Sequence, residues 1–214
     1  MISGSPLPPL AAETVNAALA RAAASAHGLV FVDALEHEHA MPWSEVHGRA
    51  QRMAGALAER GIRAGDRVAM VLPTGPDFMD AFFGTLLAGA VPVPLYPPVR
   101  LGRMDEYLRG TARMLEVVGA RLLLSDSRIR LLLGGAVELA RPPLGCPTVA
   151  ELRDGAVAHE LSVAGDALGL IQFSSGSTVD PKPVALTHRA LMSQVAALSH
   201  LLLVPPDSPP TGVT

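Results

Sequence analysis

Cysteine is nearly absent from this chain of 214 residues, which contains only Cys146. A single cysteine cannot form a disulfide within the chain, and it cannot by itself supply a cysteine-based metal site. This absence excludes a disulfide-stapled scaffold and fits a reducing compartment, so we predict a cytoplasmic location.

The sequence also lacks an excess of basic residues and a long uninterrupted apolar run. Its formal net charge is −3, which argues against nucleic acid as a partner. The longest uncharged stretch, residues 81–99, carries four prolines in its second half, so its apolar part is too short to span a bilayer. Residues 1–10 lack a basic start and a continuous apolar core, so we expect neither a secretory signal nor a membrane span.

What the chain does contain is enough apolar sequence for a packed core, since 49% of its residues are hydrophobic and 17% are charged. Short apolar runs alternate with segments of helical periodicity. Strands are predicted at residues 29–35, 67–72, 90–95, 121–125 and 168–173 and just before Trp43; helices are predicted at residues 13–24, 44–60 and 103–118, from Pro76, and after Arg189. This alternation indicates an α/β fold with a layered, mostly parallel sheet and helices on both faces.

Local patterns add several predictions. Ser44 is expected to cap the second helix, and residues 129–166 to hold a short helix, a loop and at most one strand. The helix that begins near Pro76 carries apolar residues on nearly all sides, as expected for a helix covered by other layers: Phe78, Met79, Phe82, Phe83, Leu86 and Leu87. Its Phe and Met residues are expected to be core side chains rather than walls of an acyl channel. The last helix is expected to bury Leu191, Val195, Leu198 and Leu202.

Two histidines, His37 and His39, alternate as metal ligands can on a strand. No third or fourth ligand lies near them in the sequence, so an exposed polar turn is the preferred interpretation.

One stretch near the end of the chain has the residue types that bind a polyphosphate. The apolar run 168–173 leads into Ser174, Ser175, Gly176, Ser177 and Thr178, and Lys182 follows. Glycine lets backbone N–H groups approach an anion, hydroxyls donate hydrogen bonds, and the ammonium supplies positive charge. Lys182 is the only lysine among 17 basic residues, which makes its position informative.

Composition leaves a simpler interpretation open, because clusters of Ser, Thr, Gly, Asp and Pro between apolar runs usually form solvated turns. A P-loop is not supported, since Pro181 occupies the second glycine position counted from Gly176, and Pro183 stands where Ser or Thr should bind magnesium. Downstream, Thr187 can cap a helix. His188 either faces a ligand pocket or bonds to the backbone at the start of that helix.

The order of these residues resembles a known signature. Ser-Ser-Gly-Ser-Thr-x-Asp-Pro-Lys-x-Val-x-Leu-Thr-His, residues 174–188, is similar to the phosphate-binding motif of the adenylate-forming acyl ligases, which include acyl-CoA synthetases and fatty acyl-AMP ligases. Two positions depart from it, because Val179 and Pro183 stand where that family carries glycine. Valine disfavours positive φ, and proline fixes φ and removes an N–H.

The resemblance extends over most of the chain, from about Ala11 onward. Residues 66–78 and 81–98 resemble the early N-terminal domain of these ligases, and Pro-Leu-Tyr-Pro-Pro at 94–98 resembles fatty acyl-AMP ligases more than CoA-forming relatives. By this resemblance, residues 1–204 are a partial AMP-binding N-terminal domain of the acyl-adenylating type. Residues 205–214 are then a Pro-rich loop or a frayed end.

The resemblance implies ATP-dependent activation of a fatty acid to an acyl-adenylate, followed by transfer to a phosphopantetheine thiol of an acyl carrier protein or a polyketide or nonribosomal synthase. Under that reading the nucleotide phosphates contact Ser174, Ser175, Gly176, Ser177, Thr178 and Lys182. Magnesium is expected with ATP, but neither a metal ligand nor a catalytic residue is assigned within the chain.

The alternative function is a non-catalytic module, a truncated or degenerate ligase portion with a binding or assembly role. Val179, Pro183 and the lack of the family's downstream motifs favour it, and we expect that the chain alone does not complete turnover.

Overall fold

The computed structural model describes residues 10–33, 35–98, 103–158, 161–174 and 182–201. The helices in this part of the chain are α1 (Val15–Ala23), α2 (Trp43–Glu59), α3 (Pro76–Leu87), α4 (Met104–Val118), α5 (Ser127–Leu132), α6 (Gly134–Ala140), α7 (Val149–Leu152) and α8 (His188–Leu201). The strands are β1 (Gly28–Val32), β2 (Glu38–Pro42), β3 (Arg67–Val71), β4 (Val91–Leu95), β5 (Leu122–Ser125), β6 (Leu168–Phe173) and β7 (Pro183–Thr187). None of the helices described is long and apolar enough to cross a bilayer.

A parallel sheet of three strands, in the order β4-β3-β5, lies at the centre. Helix α3 connects β3 to β4, and α4 connects β4 to β5, so each connection is a β-α-β unit. Because the strands are parallel, their carboxyl ends reach one edge of the sheet, where ligands bind in open α/β folds.

Side chains of β3 alternate between two apolar cores. Val68, Met70 and Leu72 pack on one face with residues of α2 and α3. Ala69 and Val71 pack on the other face with residues of α4 such as Leu115. The predicted layered α/β architecture with helices on both faces is therefore confirmed for the central sheet, whereas β1–β2 and β6–β7 form antiparallel pairs.

Helices α2 and α3 are joined by a buried ion pair. The Arg49 guanidinium donates through Nε and Nη2 to the two oxygens of Asp80, at 2.8 and 2.7 Å. The Asp80 side chain is only 3% exposed, so its charge depends on this two-pronged contact. Local sequence patterns gave no signal for this pair, because its members are 31 positions apart.

The predicted cap of α2 is wrong. Pro42 occupies the N-cap position of α2 without a side-chain capping bond, and Ser44 lies inside the first turn. Trp43, the first residue of the helix, packs its ring edge-on against Phe83, at a centroid distance of 6.2 Å.

Residues 129–166, expected to hold one short helix, instead contain the end of α5 together with α6 and α7. Thr148 and Glu151 form a capping box at the start of α7. In the described part of this segment no strand forms, although Thr148 makes an isolated bridge to Ser125.

The predicted buried face of α8 is also wrong. Val195 and Leu198 are 51% and 46% exposed, and the buried residues of this helix are His188 and Met192. Leu202 lies outside the described residues. The helix packs against β6, β7 and α1, and its buried side is the line from His188 to Met192, one turn further on.

Candidate functional site

The phosphate-type motif lies on a β-hairpin. Strands β6 and β7 pair antiparallel, with Phe173 opposite Pro183. Beyond this pair, the Ser174 N–H donates to the Lys182 carbonyl oxygen at 3.0 Å. Ser174 and Lys182 are therefore held side by side at the end of the hairpin, as two ends of one short loop.

The structure places two of the six predicted phosphate-binding residues. Ser174 and Lys182 are both exposed, and no acidic side chain within the described ranges pairs with the Lys182 ammonium. Ser175, Gly176, Ser177 and Thr178 lie outside the described residues, as does Val179. A hydroxyl and an ammonium that lie side by side, with no acidic partner among the described residues, are suited to bind an anion.

Pro183 is accommodated at the start of β7. It is exposed, and the hydrogen bond that closes the hairpin involves the Lys182 carbonyl rather than an N–H at position 183. The first residue of a strand is one of the places where proline is tolerated in a sheet.

A cavity of about 740 Å³ opens beside this hairpin, within the volume range of small-molecule sites. It lies at the carboxyl ends of β3 and β4, between α3, α4 and β6. Residues that contribute to its walls include Leu72, Thr74, Phe78, Phe82, Leu95, Tyr96, Tyr107, Met114, Leu170 and Phe173. The lining is mostly apolar, and Phe173 directly precedes Ser174.

The prediction that the Phe and Met residues of α3 are core side chains only is partly wrong. Met79 and Phe83 pack against the core as expected and do not line the cavity, whereas Phe78 and Phe82 contact the core and also line the cavity. Their rings stack at a centroid distance of 5.9 Å with an interplanar angle of 15°. Phe83 packs edge-on behind Phe82 at 5.4 Å, so the wall is rigid on that side.

The cavity gathers most of the aromatic side chains. The chain has five Phe, two Tyr and one Trp, and five of these eight residues line it. Sequence reasoning did not identify Tyr107 or Phe173 as lining residues, although the scarcity of aromatics could have drawn attention to them.

Tyr107 on α4 closes one side of the cavity. Its hydroxyl donates to the Tyr96 carbonyl oxygen at 2.9 Å, which ties α4 to the segment after β4. Burial raises the pKa of Tyr107, so the phenol is protonated and remains a hydrogen-bond donor at neutral pH.

His188 does not line the cavity; it is 2% exposed. Its Nδ1 accepts a hydrogen bond from the Val15 N–H at 3.2 Å, at the start of α1. Of the two roles left open by the sequence, the structure supports the backbone contact. The neighbouring Thr187 caps α8 as predicted, since its hydroxyl accepts from the Ala190 N–H at 3.1 Å.

Where the structure describes the chain, no group of three or more His, Cys, Asp or Glu side chains is arranged to hold a metal ion. His37 instead contacts Asp33, with Nδ1 and Oδ2 at 3.2 Å, and both side chains are exposed.

The described part of the chain thus places a hairpin that bears Ser174 and Lys182 beside an apolar cavity, at the carboxyl edge of a parallel sheet. The model of the protein family "AMP-binding enzyme" matches residues 17–208, which is most of the chain. The chain therefore belongs to the AMP-binding, adenylate-forming family.

Individual proteins and solved structures are also similar to this chain. Pyochelin synthetase PchE of Pseudomonas aeruginosa is 34% identical over 163 residues, which cover 75% of this chain and 10% of that protein. A solved structure from studies of fatty acyl-adenylate ligases from E. coli and L. pneumophila matches with a TM-score of 0.86 and 26% identity, over 95% of this chain and 37% of that one. The adenylation domain of a keto acid-selecting NRPS module shares the fold, with a TM-score of 0.80 and 22% identity over 90% of this chain and 35% of that one. The chain thus spans about a tenth to a third of the length of these relatives.

Proposed function

We propose that this chain contributes the phosphate-binding part of an acyl-adenylating reaction, the ATP-dependent activation of a fatty acid to an acyl-adenylate. In this reaction the carboxylate attacks the α-phosphate of ATP, and pyrophosphate leaves. The observation that carries the proposal is the position of Ser174 and Lys182 at the end of the hairpin, next to an apolar cavity.

The chemistry requires positive charge and hydrogen-bond donors where phosphate charge accumulates. We assign contacts with the β- and γ-phosphates to Ser174, Ser175, Gly176, Ser177, Thr178 and Lys182. ATP fits this set because it offers acceptor oxygens to hydroxyls, backbone N–H groups and an ammonium. Magnesium is expected with ATP, but the described residues offer no carboxylate cluster for it, so no step is assigned to a metal held by this chain.

The apolar cavity favours a fatty acid over a polar acid as the substrate. Burying methylene groups against its Phe, Leu and Met side chains stabilises binding by about 0.8 kcal/mol per CH₂. The structural relatives include both fatty acyl-adenylate ligases and a keto acid-selecting module, so these relatives differ in the acid for which they are named.

The acyl group of an adenylate is activated for attack by a thiol. We propose that its acceptor is a phosphopantetheine thiol on an acyl carrier protein or on a polyketide or nonribosomal synthase, with a cytoplasmic location. The adenylation module among the structural neighbours supports this class of partner.

The second candidate is a non-catalytic ligase module, which Val179 and Pro183 favour because they replace the glycines of the signature. Pro183 is exposed at the first position of β7, where proline is tolerated, so the argument from Pro183 is weakened and the argument from Val179 remains. A chain with Val179→Gly and Pro183→Gly separates the two candidates. A large gain in ATP affinity would mean a decayed loop, and little change would mean that the loop binds as it is.

The proposal is tested by the affinity of the chain for Mg–ATP, measured by isothermal titration calorimetry. We expect Lys182→Gln to weaken binding by roughly 10- to 100-fold, the effect of losing one charge-assisted hydrogen bond. Arg63→Gln is the matched control, because Arg63 is an exposed cation before β3, at the opposite edge of the sheet. Equal affinities of the two variants would contradict the proposal.

A further inference from the structure

The base of the hairpin is locked to the first helix of the chain. His188 follows β7 directly, and its imidazole accepts from the Val15 N–H, 173 positions earlier. The His188 N–H donates to the Ala167 carbonyl at 3.0 Å, and the Arg189 N–H donates to the Gly165 carbonyl at 2.7 Å. These three bonds join α1, the turn before β6 and the start of α8 at one point.

The imidazole is also enclosed by packing. A Cβ atom added at Gly169 on β6 would lie 3.1 Å from His188 Cγ and 3.2 Å from Nδ1, closer than ordinary contacts. Glycine at position 169 thus leaves room for the ring beside β6, and Nδ1 faces the Val15 N–H. A ring nitrogen that accepts a hydrogen bond carries no proton, so the imidazole must be neutral with its proton on Nε2.

Strand β7 connects His188 to Lys182, one of the residues assigned to phosphate binding. Only the five residues of β7 separate Lys182 from His188. Lys182 in turn is bonded to Ser174 across the end of the hairpin. A movement at His188 is therefore transmitted by the strand to both described ends of the loop.

We infer that His188 is a positioning residue for the phosphate-binding hairpin, acting through the hydrogen bond from the Val15 N–H to its Nδ1. The inference deepens the proposed function and rests on it, because the residues it positions are those assigned to the nucleotide phosphates. The charged groups around it are Arg189 and Glu13, which pair with each other at 3.6 Å, and the exposed Asp166 of the turn.

Two substitutions remove the bond from opposite sides. His188→Gln keeps a side chain of similar reach but has no acceptor at the Nδ1 position, whereas His188→Asn keeps an oxygen close to that position. Val15→Pro removes the donor, and it suits the site because Val15 is the first residue of α1 and Thr14 before it has an extended backbone.

Hydrogen–deuterium exchange of single amides in the full chain gives the decisive readout. The reporter is the Ser174 N–H, and the reference is the Val91 N–H of the central sheet, which donates to the Asp66 carbonyl at 2.8 Å. We expect His188→Gln and Val15→Pro each to speed exchange at Ser174 by tenfold or more while Val91 is unchanged. His188→Asn should resemble the wild type, and combining His188→Gln with Val15→Pro should add little beyond either change.

Three results would overturn the inference: no change at Ser174, equal acceleration at Ser174 and Val91, or an Asn variant as impaired as the Gln variant. If the Gln variant fails to fold, the comparison of Val15→Pro with the wild type decides by the same criteria.

Titration with inorganic pyrophosphate separates this inference from the proposed function. If the wild type binds pyrophosphate, both bond-breaking variants should bind it at least tenfold more weakly, and unchanged affinity would count against positioning. If the wild type does not bind it, the proposed function fails, while the exchange experiment still decides whether His188 holds the hairpin.

Discussion

Among single residues, His188 and Lys182 have opposite surroundings at the two ends of one strand. Lys182 is exposed, and none of the acidic side chains described pairs with it. His188 is enclosed, and burial lowers its pKa. Strand β7 thus connects a residue suited to bind an anion with a residue that fixes the strand in place.

The buried imidazole predicts a pH dependence of stability. Because the folded-state pKa lies below the unfolded value of about 6.5, the unfolded chain takes up the proton first as the pH falls. The contribution of neutral His188 is therefore complete above about pH 6.5 and declines below it. Urea unfolding of the wild type and His188→Asn at pH 7.5, 6.5 and 5.5 checks this, because carboxylates titrate equally in both. The free energy of unfolding of the wild type should fall more steeply, and parallel curves would contradict the assignment.

At this scale the sequence predicted the chemistry of residues better than their locations. The cap at Thr187 was predicted correctly from residue type and order, because a threonine before a helix has a local role. The phosphate contact of Lys182 stays a prediction. The role of His188 stayed open since its partner, the Val15 N–H, is remote in sequence. Ser44 was misassigned because serine is a preferred capping residue, whereas Pro42, two residues earlier, occupies the N-cap position.

Between elements, the contact of α2 with α3 depends on the Arg49–Asp80 pair. Removing one member of a buried pair leaves a desolvated charge, so we expect Asp80→Ala to cost about 3 kcal/mol or more in the free energy of unfolding. Asp77→Ala is the control on the same helix, since Asp77 pairs with Arg153 at 2.6 Å but both side chains are well exposed. Its cost should be about 1 kcal/mol or less. Denaturant unfolding measures both, and similar costs would show that burial does not set the strength of the pair.

Side chains of α3 and β6 form part of the cavity wall, and we predict that a fatty acid binds against them. Phe82→Trp adds volume to a wall that is backed by Phe83, so the extra atoms must enter the cavity. We expect affinity for a fatty acid such as dodecanoate to fall by tenfold or more, with Mg–ATP affinity unchanged. Val117→Trp is the control, because Val117 is 54% exposed on α4 and does not line the cavity. Unchanged dodecanoate affinity in Phe82→Trp would exclude this cavity as the acyl site.

Element types were largely predictable, whereas the faces they bury were less so. Strands β3, β4 and β5 follow from short apolar runs because they are covered on both sides. The apolar stripe of α8 predicted burial that this part of the molecule does not provide, since Val195 and Leu198 remain exposed. The cavity could not be derived from the spacing of Phe78 and Phe82, because a cavity wall and a core have the same periodicity.

In the whole molecule, three parallel strands with helices on both faces place the hairpin and the cavity on one side. The sequence predicted this architecture from the alternation of strands and helices, and the match to the AMP-binding enzyme family over residues 17–208 agrees with it. The boundary at residue 204 stays a prediction, because residues 202–214 lie outside the described part of the chain.

A crystal structure of the chain with a non-hydrolysable ATP analogue tests the central claim most directly. The account predicts that the terminal phosphates lie within about 3 Å of Lys182 Nζ and the Ser174 hydroxyl, at the mouth of the hairpin. An analogue bound at another surface, with Lys182 still exposed to solvent, would contradict it.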